Sequence, residues 1–389
     1  MPAVFILRVA MVLAAACSVL GLAGAIYFAL AIWAATRFRS ELRPTVGRKF
    51  TPPVSILKSL RGLDPQMYAA FRSHCLLEYP EYEVLFGVQD LNDPAVQLVE
   101  RLREEFPGKN VRVIYCPATL GHNGKVSNLV QVLGDARYEH VIINDSDIVV
   151  SRDYLMRVIA PLAQPDIGMV TSLYRGIPGN TLWSRLEAVG LSTDFAGGVL
   201  IARAMEGGIA FALGATIATT KSVLRETGGL EQLVDYLGDD YELGARTAAA
   251  GHRLALADAI VETTLPDYAF GEFWKHQMRW ARNVKDRRPA QYIGLVATFG
   301  LPFAILAVLL RPFAWWTWLV LVVAAITRVS AAVVVGRDVL ADLSVTKHLW
   351  LLPLRDFMAL LIWIGSFGGD TVEWRGQRFK LRKGKLQPL

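Results

Sequence analysis

His140-Val141-Ile142-Ile143-Asn144-Asp145-Ser146-Asp147 carries an apolar run straight into two carboxylates. A run this short and rich in β-branched residues reads as a buried strand, His140 to Asn144. The one residue between Asp145 and Asp147 keeps both carboxylates near a single turn at the strand's carboxyl end. Hard oxygen donors so placed suit Mg2+ or Mn2+ held against a diphosphate. A solvated turn is the plainer reading of the same residues.

The chain before this stretch repeats the pattern. Val54 to Leu57, after Pro52-Pro53, reads as a first strand, Tyr82 to Val88 as a second and Val111 to Tyr115 as a third. Asn92-Asp93-Pro94 opens a helix through about Glu105, with Asp93 as N-cap and Pro94 at its first position. Lys125 to Leu133 reads as another helix. Strands alternating with helices predict an α/β fold, a mostly parallel sheet covered by helices. Ligands of such sheets bind beyond the carboxyl ends of the strands, where Asp90 and Asp145 both fall.

Beyond the strand, Asp239-Asp240-Tyr241 offers a second acidic site. A sugar or lipid hydroxyl is a poor nucleophile, and Asp240 suits the general base that takes its proton. Asp239 beside it raises the proton affinity of the pair, or caps a helix beginning near Tyr241. Lys125, in Gly121-His122-Asn123-Gly124-Lys125, suits phosphate at a helix start, or is a plain surface lysine. Asp90 suits the uracil or ribose of a nucleotide, or caps a turn. Gly214-Ala215-Thr216, read as strand-like, and Gly228-Gly229 leave room for a sugar near the backbone, or pack tightly. His276-Gln277-Met278-Arg279-Trp280 lies on an expected helix with Phe270, Phe273 and Trp274. There Arg279 suits a diphosphate and Trp280 an acceptor wall, unless the aromatics form only an interfacial belt.

Composition adds a membrane. Of 389 residues, 53% are hydrophobic, and the mean hydropathy of +0.33 is too high for an ordinary soluble enzyme. Val9 to Thr36 is uncharged between Arg8 and Arg37, long enough to cross a bilayer as a signal anchor over 9–36. Arg37, Arg39, Arg43, Arg48 and Lys49 outweigh Glu41 on its C-terminal flank. The positive-inside rule then puts the domain spanning 50–289 in the cytoplasm. Ile293 to Leu310 and Phe313 to Val335 form an apolar hairpin about Arg311-Pro312. Leu349 to Phe367 is broken by Pro353 and Arg355-Asp356, so it reads as interfacial or re-entrant. Residues 290–369 thus form a C-terminal membrane region with two full crossings expected. The 370–389 tail, with Arg375, Arg378, Lys380, Arg382, Lys383 and Lys385, reads as basic and cytoplasmic.

The net charge of +6 comes without a nucleic-acid-binding motif, and its cations flank hydrophobic segments, which fits anionic lipid. Cys17, Cys75 and Cys116 are too few and too scattered for a disulfide framework or a zinc site. Taken together, the acidic sites between hydrophobic spans point to a membrane-embedded sugar transferase. A non-catalytic transporter or scaffold is the alternative from another class, but its polar sites would lie within the spans.

The order Asp, Asp-x-Asp, Asp-Asp-Tyr and x-x-Arg-Trp resembles the inverting GT-A glycosyltransferases related to ceramide glucosyltransferase. Within that group the chain is most similar to bacterial hopanoid-biosynthesis glycosyltransferases, through Phe86-Gly87-Val88-Gln89-Asp90, Gly124-Lys125-Val126-Ser127-Asn128-Leu129 and Gly369-Asp370-Thr371-Val372-Glu373-Trp374-Arg375-Gly376. The resemblance implies a UDP-sugar donor, Asp90 on the nucleotide, Asp145 and Asp147 on a cation and diphosphate, and Asp240 as base. Lys125 and Arg279 would join the donor site. Asp239, His276 and Trp280 would border the acceptor or close the site. It further implies transfer of N-acetylglucosamine to a polyol hopanoid at a bacterial inner membrane, with ceramide or polyprenyl phosphate as alternative acceptors. A processive polysaccharide synthase would need more C-terminal segments to line a channel. His276 stands where the family usually has Gln or Arg. Asp147, often missing from ceramide-type enzymes, is present and implies metal dependence.

Overall fold

The computed structural model describes residues 2–42, 50–374 and 376–389. Arg43, Arg48, Lys49 and Arg375 of the expected basic flanks lie outside the described residues.

The four predicted strands form side by side. β1 (Val54–Ser59), β2 (Tyr82–Val88), β3 (Val111–Tyr115) and β4 (His140–Asn144) run parallel in the order β3-β2-β1-β4. Val54 pairs with both Tyr82 and His140, so the carboxyl ends of the three strands finish on one edge. β1 is buried along its whole length, the condition of a parallel strand covered on both faces. Asp93 caps the Pro94–Glu105 helix by accepting from the Ala95 N–H, as its sequence predicts. Asn123 caps Gly124–Asp135 in the same way.

Past β4 the chain turns through β5 (Ile148–Val149). The main sheet then continues with β6 (Ile167–Thr171), and β7 (Tyr174–Ile177) leaves for a smaller sheet. β8 (Ile217–Thr220) inserts antiparallel between β4 and β6, and β9 (Arg253–Leu256) closes the far edge. β10 (Val261–Thr264) pairs with β5 and β7. Gly214 to Thr216 is therefore not strand but a turn, closed by the Thr216 N–H on the Leu213 carbonyl, and β8 starts one residue later.

Around this domain lie the apolar helices. The first runs Pro2–Glu41, 40 residues and about 60 Å, so it extends beyond the expected 9–36 span at both ends. The 300s hairpin forms about Arg311-Pro312, but its first arm is bent by 53° between Pro289–Thr298 and Gly300–Leu310. Pro302 offers no N–H to the preceding turn, which accounts for the break. The second arm, Trp315–Val339, ends in a π-helical stretch, and Leu349–Ser366 is a continuous helix. Leu182–Glu206, for which the sequence suggested no special role, is a further long apolar helix with a π-turn at Leu191–Phe195. Among the described residues four helices are long and apolar enough to cross a membrane, or five with the bent pair as one.

The tail is folded rather than a plain basic segment. β11 (Thr371–Trp374), β12 (Gln377–Arg382) and β13 (Lys385–Pro388) form an antiparallel sheet that buries Phe379 and Leu386 beside Leu237. Lys383 and Gly384, at φ 51° and 77°, make the left-handed two-residue turn that such a hairpin requires.

Gly24 sits at a close contact between two helices. A Cβ there would stand 2.3 Å from the Cα of Gly300. Backbones meet this closely only where both residues are small. Gly24→Val should lower the thermal unfolding temperature of the detergent-solubilised protein, at a cost of about 1–3 kcal/mol from overpacking. An unchanged transition would mean the two helices separate freely.

Candidate active site

Asp145 and Asp147 leave β4 at the carboxyl edge of the sheet and face a cavity of about 400 Å3. Lys58, fully buried on β1, donates from Nζ to the Asp145 carbonyl at 2.8 Å and so holds the turn from below. Ser146 Oγ donates to Asp64 Oδ2 at 2.7 Å, and Thr263 on β10 donates to Asp147 Oδ2. The Asp-x-Asp turn is thus tied down on three sides.

Asp239 and Asp240 open the Asp239–Ala249 helix, which begins two residues earlier than expected, with Gly238 and not Asp239 at the cap position. Lys125 joins the two acidic sites, its Nζ 2.6 Å from Asp145 Oδ1 and 3.4 Å from Asp239 Oδ2. Asn123, two residues earlier at the helix cap, donates to the Tyr236 carbonyl at 2.7 Å and to Asp239 Oδ1 at 3.4 Å. Gly214 occupies the space between: a Cβ there would lie 3.0 Å from Asp240 Oδ2 and 3.4 Å from Asp145 Oδ2. A small residue fits here because the two carboxylates converge on it.

Crowding shifts the protonation of this wall. Burial, then the charge of Asp239, pushes the Asp240 carboxyl up to about 6, although Lys125 opposes the rise. Burial, then Asp145, pushes Asp147 up to about 6, against the Thr263 hydrogen bond. Burial works against the charge of Lys125, but Asp145, Asp239 and Asp240 outweigh it and hold the ammonium firmly protonated. Lys58 is lowered to about 7 by burial, which the carboxylates of Asp147 and Asp145 only partly offset.

The Phe270–Arg287 helix supplies the opposite wall with His276, Arg279 and Trp280. His276 Nδ1 lies 3.1 Å from Oε1 of Glu187, a buried carboxylate of the Leu182–Gly190 helix. The His276 ring stacks on Tyr268, with ring centres 5.7 Å apart.

Of the nine residues given catalytic or binding roles from the sequence, eight line one cavity: Lys125, Asp145, Asp147, Asp239, Asp240, His276, Arg279 and Trp280. Asp90 does not. It is exposed after β2, where its carboxylate accepts from the Asn92 N–H at 2.9 Å, on the same edge of the sheet but outside the cavity lining. Sequence reasoning missed Lys58, Tyr174, Glu187 and Thr263. Only Lys58 carried a signal, as the one charged residue of the Val54–Ser59 strand.

Among the described residues no group of three or more His, Cys, Asp or Glu side chains is placed to hold a metal alone. The two carboxylates of the Asp145 turn still fit a hard divalent ion, because such ions in nucleotide sites take one or two protein carboxylates and complete their shell with phosphate and water.

Comparisons with known proteins bear on the fold and the family. Ceramide glucosyltransferase 1 of Caenorhabditis elegans is 23% identical over 346 residues, covering 86% of this chain and 72% of its own. Ceramide glucosyltransferase 3 of the same organism is 23% identical over 232 residues, or 59% of this chain and 50% of its own length. The mannosyltransferase of Pyrobaculum calidifontis, solved with GDP-Man and Mn2+, superposes with a TM-score of 0.53 at 19% identity, covering 93% of this chain and 98% of that one. The last likeness establishes a GT-A-like fold, and the apolar helices mark a membrane-associated protein. The model of glycosyl transferase family 21 matches residues 16–387, and the chain belongs to that family of sugar-transferring enzymes.

Proposed function

We propose that the protein transfers a hexose from a UDP-sugar to the hydroxyl of a ceramide-type lipid, inverting the anomeric carbon in one displacement. The observation that carries this is a shared wall. Beside the polar cavity lies a second of about 530 Å3, lined by Tyr27, Phe299 and Trp363 from the apolar helices. Tyr174, Glu187, Leu191, Asp240, Trp280 and Asn283 border both. A lipid entering through the apolar cavity would bring its terminal hydroxyl to Asp240, and a nucleotide sugar would occupy the polar side.

Asp240 would take the hydroxyl proton as the new bond to C1 forms, for which an elevated carboxyl is well matched. Asp145 and Asp147 would hold Mg2+ or Mn2+, which when bound supplies charge stabilisation to the departing diphosphate. Arg279 adds positive charge on the same side, Trp280 walls the acceptor, and Asp90 would meet the nucleotide at the rim. The ceramide glucosyltransferase relatives support ceramide over the hopanoid acceptor expected at first, and nothing in them singles out N-acetylglucosamine. The basic flank at Arg37 and Arg39 supports a catalytic domain facing the cytoplasm, as in a bacterial inner membrane.

Purified protein with Mn2+, a panel of UDP-sugars and either ceramide or a polyol hopanoid should yield a hexosylceramide by mass spectrometry. A glycosylated hopanoid alone would overturn the ceramide reading. Asp240→Asn should lower kcat by about 10²–10⁴-fold with little change in donor KM. For the wild type, kcat/KM should climb as pH rises through about 6 and then level off, because the carboxylate is the active form and is lost on the acid side. A rate independent of pH between 5 and 8 would remove Asp240 as base. Chelation should abolish transfer, and Asp147→Asn should shift the Mn2+ dependence to higher concentration; equal activity in EDTA would exclude the cation.

A further inference from the structure

Leu349–Ser366 is long and apolar enough to cross a bilayer, yet both of its ends are fastened to the domain that carries the candidate active site. Ahead of it, Arg175 on β7 donates from Nη1 to the carbonyls of Leu340, at 3.0 Å, and Ala341. Ser192 donates to Asp342 Oδ2 at 2.7 Å. Behind it, Lys285 of the Phe270–Arg287 helix donates to the carbonyls of Ser366 and Gly369. The strands that follow close on Leu237, whose N–H donates to the Gly384 carbonyl at 3.0 Å. A crossing helix would carry its ends to opposite faces of a hydrocarbon core about 30 Å thick. Here one domain holds both ends.

Between these ends the helix lies along the domain instead of leaving it. Leu351, Met358 and Ile362 pack with Phe273 and Met278, and a Cβ on Gly365 would stand 3.2 Å from Trp274 Cζ2. Those partners sit on the helix that brings Arg279 and Trp280 to the polar cavity. Arg355 and Asp356 also turn inward, to Asp194 and Arg328. The opposite face is bare. Trp350, Leu354, Phe357, Leu361, Ile364 and Phe367 recur every three or four residues and form one stripe, each 36–65% exposed. The stripe runs on into the spanning hairpin, because Phe367 packs with Tyr292 and Trp363 with Phe299, at ring-centre distances of 5.8 and 6.1 Å. Ile293, next to Tyr292, is exposed as well. A contiguous apolar face of this kind calls for a covering, and its continuity with the crossing helices names lipid as that covering.

We propose that Leu349–Ser366 does not cross the membrane but lies flat in its surface, with the stripe sunk into the leaflet on the active-site side. Trp350 then sits at the level of the headgroups, where its ring is favoured. The hairpin arms, by contrast, leave that side after Arg287 and return to it at Leu340, where Arg175 receives them. Ala359, Ile362 and Trp363 of the flat helix also line the apolar cavity together with Tyr27 and Phe28. The element that rests in the leaflet is therefore also a wall of the space assigned above to the acceptor lipid. That last consequence rests on the acceptor reading; the placement of the helix does not.

The test takes the unmodified full chain in sealed vesicles of each orientation, treated from outside with a membrane-impermeant amine reagent and read by mass spectrometry. Lys347 before the helix, Lys380 after it and Lys275 on the Phe270–Arg287 helix are all exposed. All three should be modified from the same side and none from the other. Lys347 and Lys380 reacting from opposite sides, or Lys347 reacting only after detergent, overturns the proposal. The natural cysteines are buried, so a spin label at Leu361→Cys reports on the stripe alone. It should be relaxed more by oxygen than by a water-soluble nickel complex, and the reverse order overturns the proposal by leaving the stripe in water. Should that variant fail to fold, the lysine map of the wild type decides by itself. Neither readout involves sugar or acceptor, so its failure is distinct from failure of the transferase reading.

Discussion

One lysine holds the site together. Lys125 reaches Asp145 at the end of β4 and Asp239 at the start of the Asp239–Ala249 helix, with Asp240 and Asp147 close by. Two like charges about 4 Å apart repel by about 4 kcal/mol at an effective dielectric of about 20, so this set of carboxylates cannot converge without a cation. Lys125 supplies it from the first turn of its helix, and Lys58 adds a donor beneath the Asp145 carbonyl. The sheet delivers one acidic site and the helix the other. Their common counter-ion sets the gap in which a sugar would react.

Electrostatics of the same kind recur in the membrane half. Arg328, Asp356, Asp194 and Arg355 come from three segments and neutralise one another, and Arg328 also lies over the Phe28 ring at 4.6 Å. This explains how Arg355 and Asp356 are tolerated in a long apolar helix, where unpaired charge is costly. The Leu182–Glu206 helix connects the two regions. Its Glu187 holds His276 beside the polar cavity, and its Asp194, within the π-turn that follows, enters the ionic group. The polar and apolar cavities are therefore joined through one continuous helix.

The folded tail completes the loop before Asp239. Leu237 N–H donates to the Gly384 carbonyl and Leu386 N–H to the Asp235 carbonyl, while Gly384 N–H reaches Asp286. Lysines and arginines that marked the tail as basic and cytoplasmic alternate with Phe379, Leu381 and Leu386, and that period of two marks strands. The charges dominated the reading and hid the alternation.

Local signals sufficed where local physics governs. The bounds of β2, β3 and β4, the Asp93 cap and the hairpin about Arg311-Pro312 follow from runs of apolar residues, cap chemistry and proline, all within a few positions along the chain. The Asp-x-Asp turn, Asp240 and Arg279 were also legible, because carboxylates and cations at element ends advertise their chemistry by type. What the sequence could not convey is which distant groups meet. Glu187 against His276, Lys125 between Asp145 and Asp239, and Asp194 against Arg355 are separated by tens to more than a hundred residues. Asp90, an equal of Asp145 by sequence, lies outside the cavity because β1 separates β2 from β4 in the sheet. Residue type and short-range periodicity thus determined the elements and the chemistry on offer. Only packing decided which charges pair and which cavity each one faces, because those energies arise between groups that the chain brings together last.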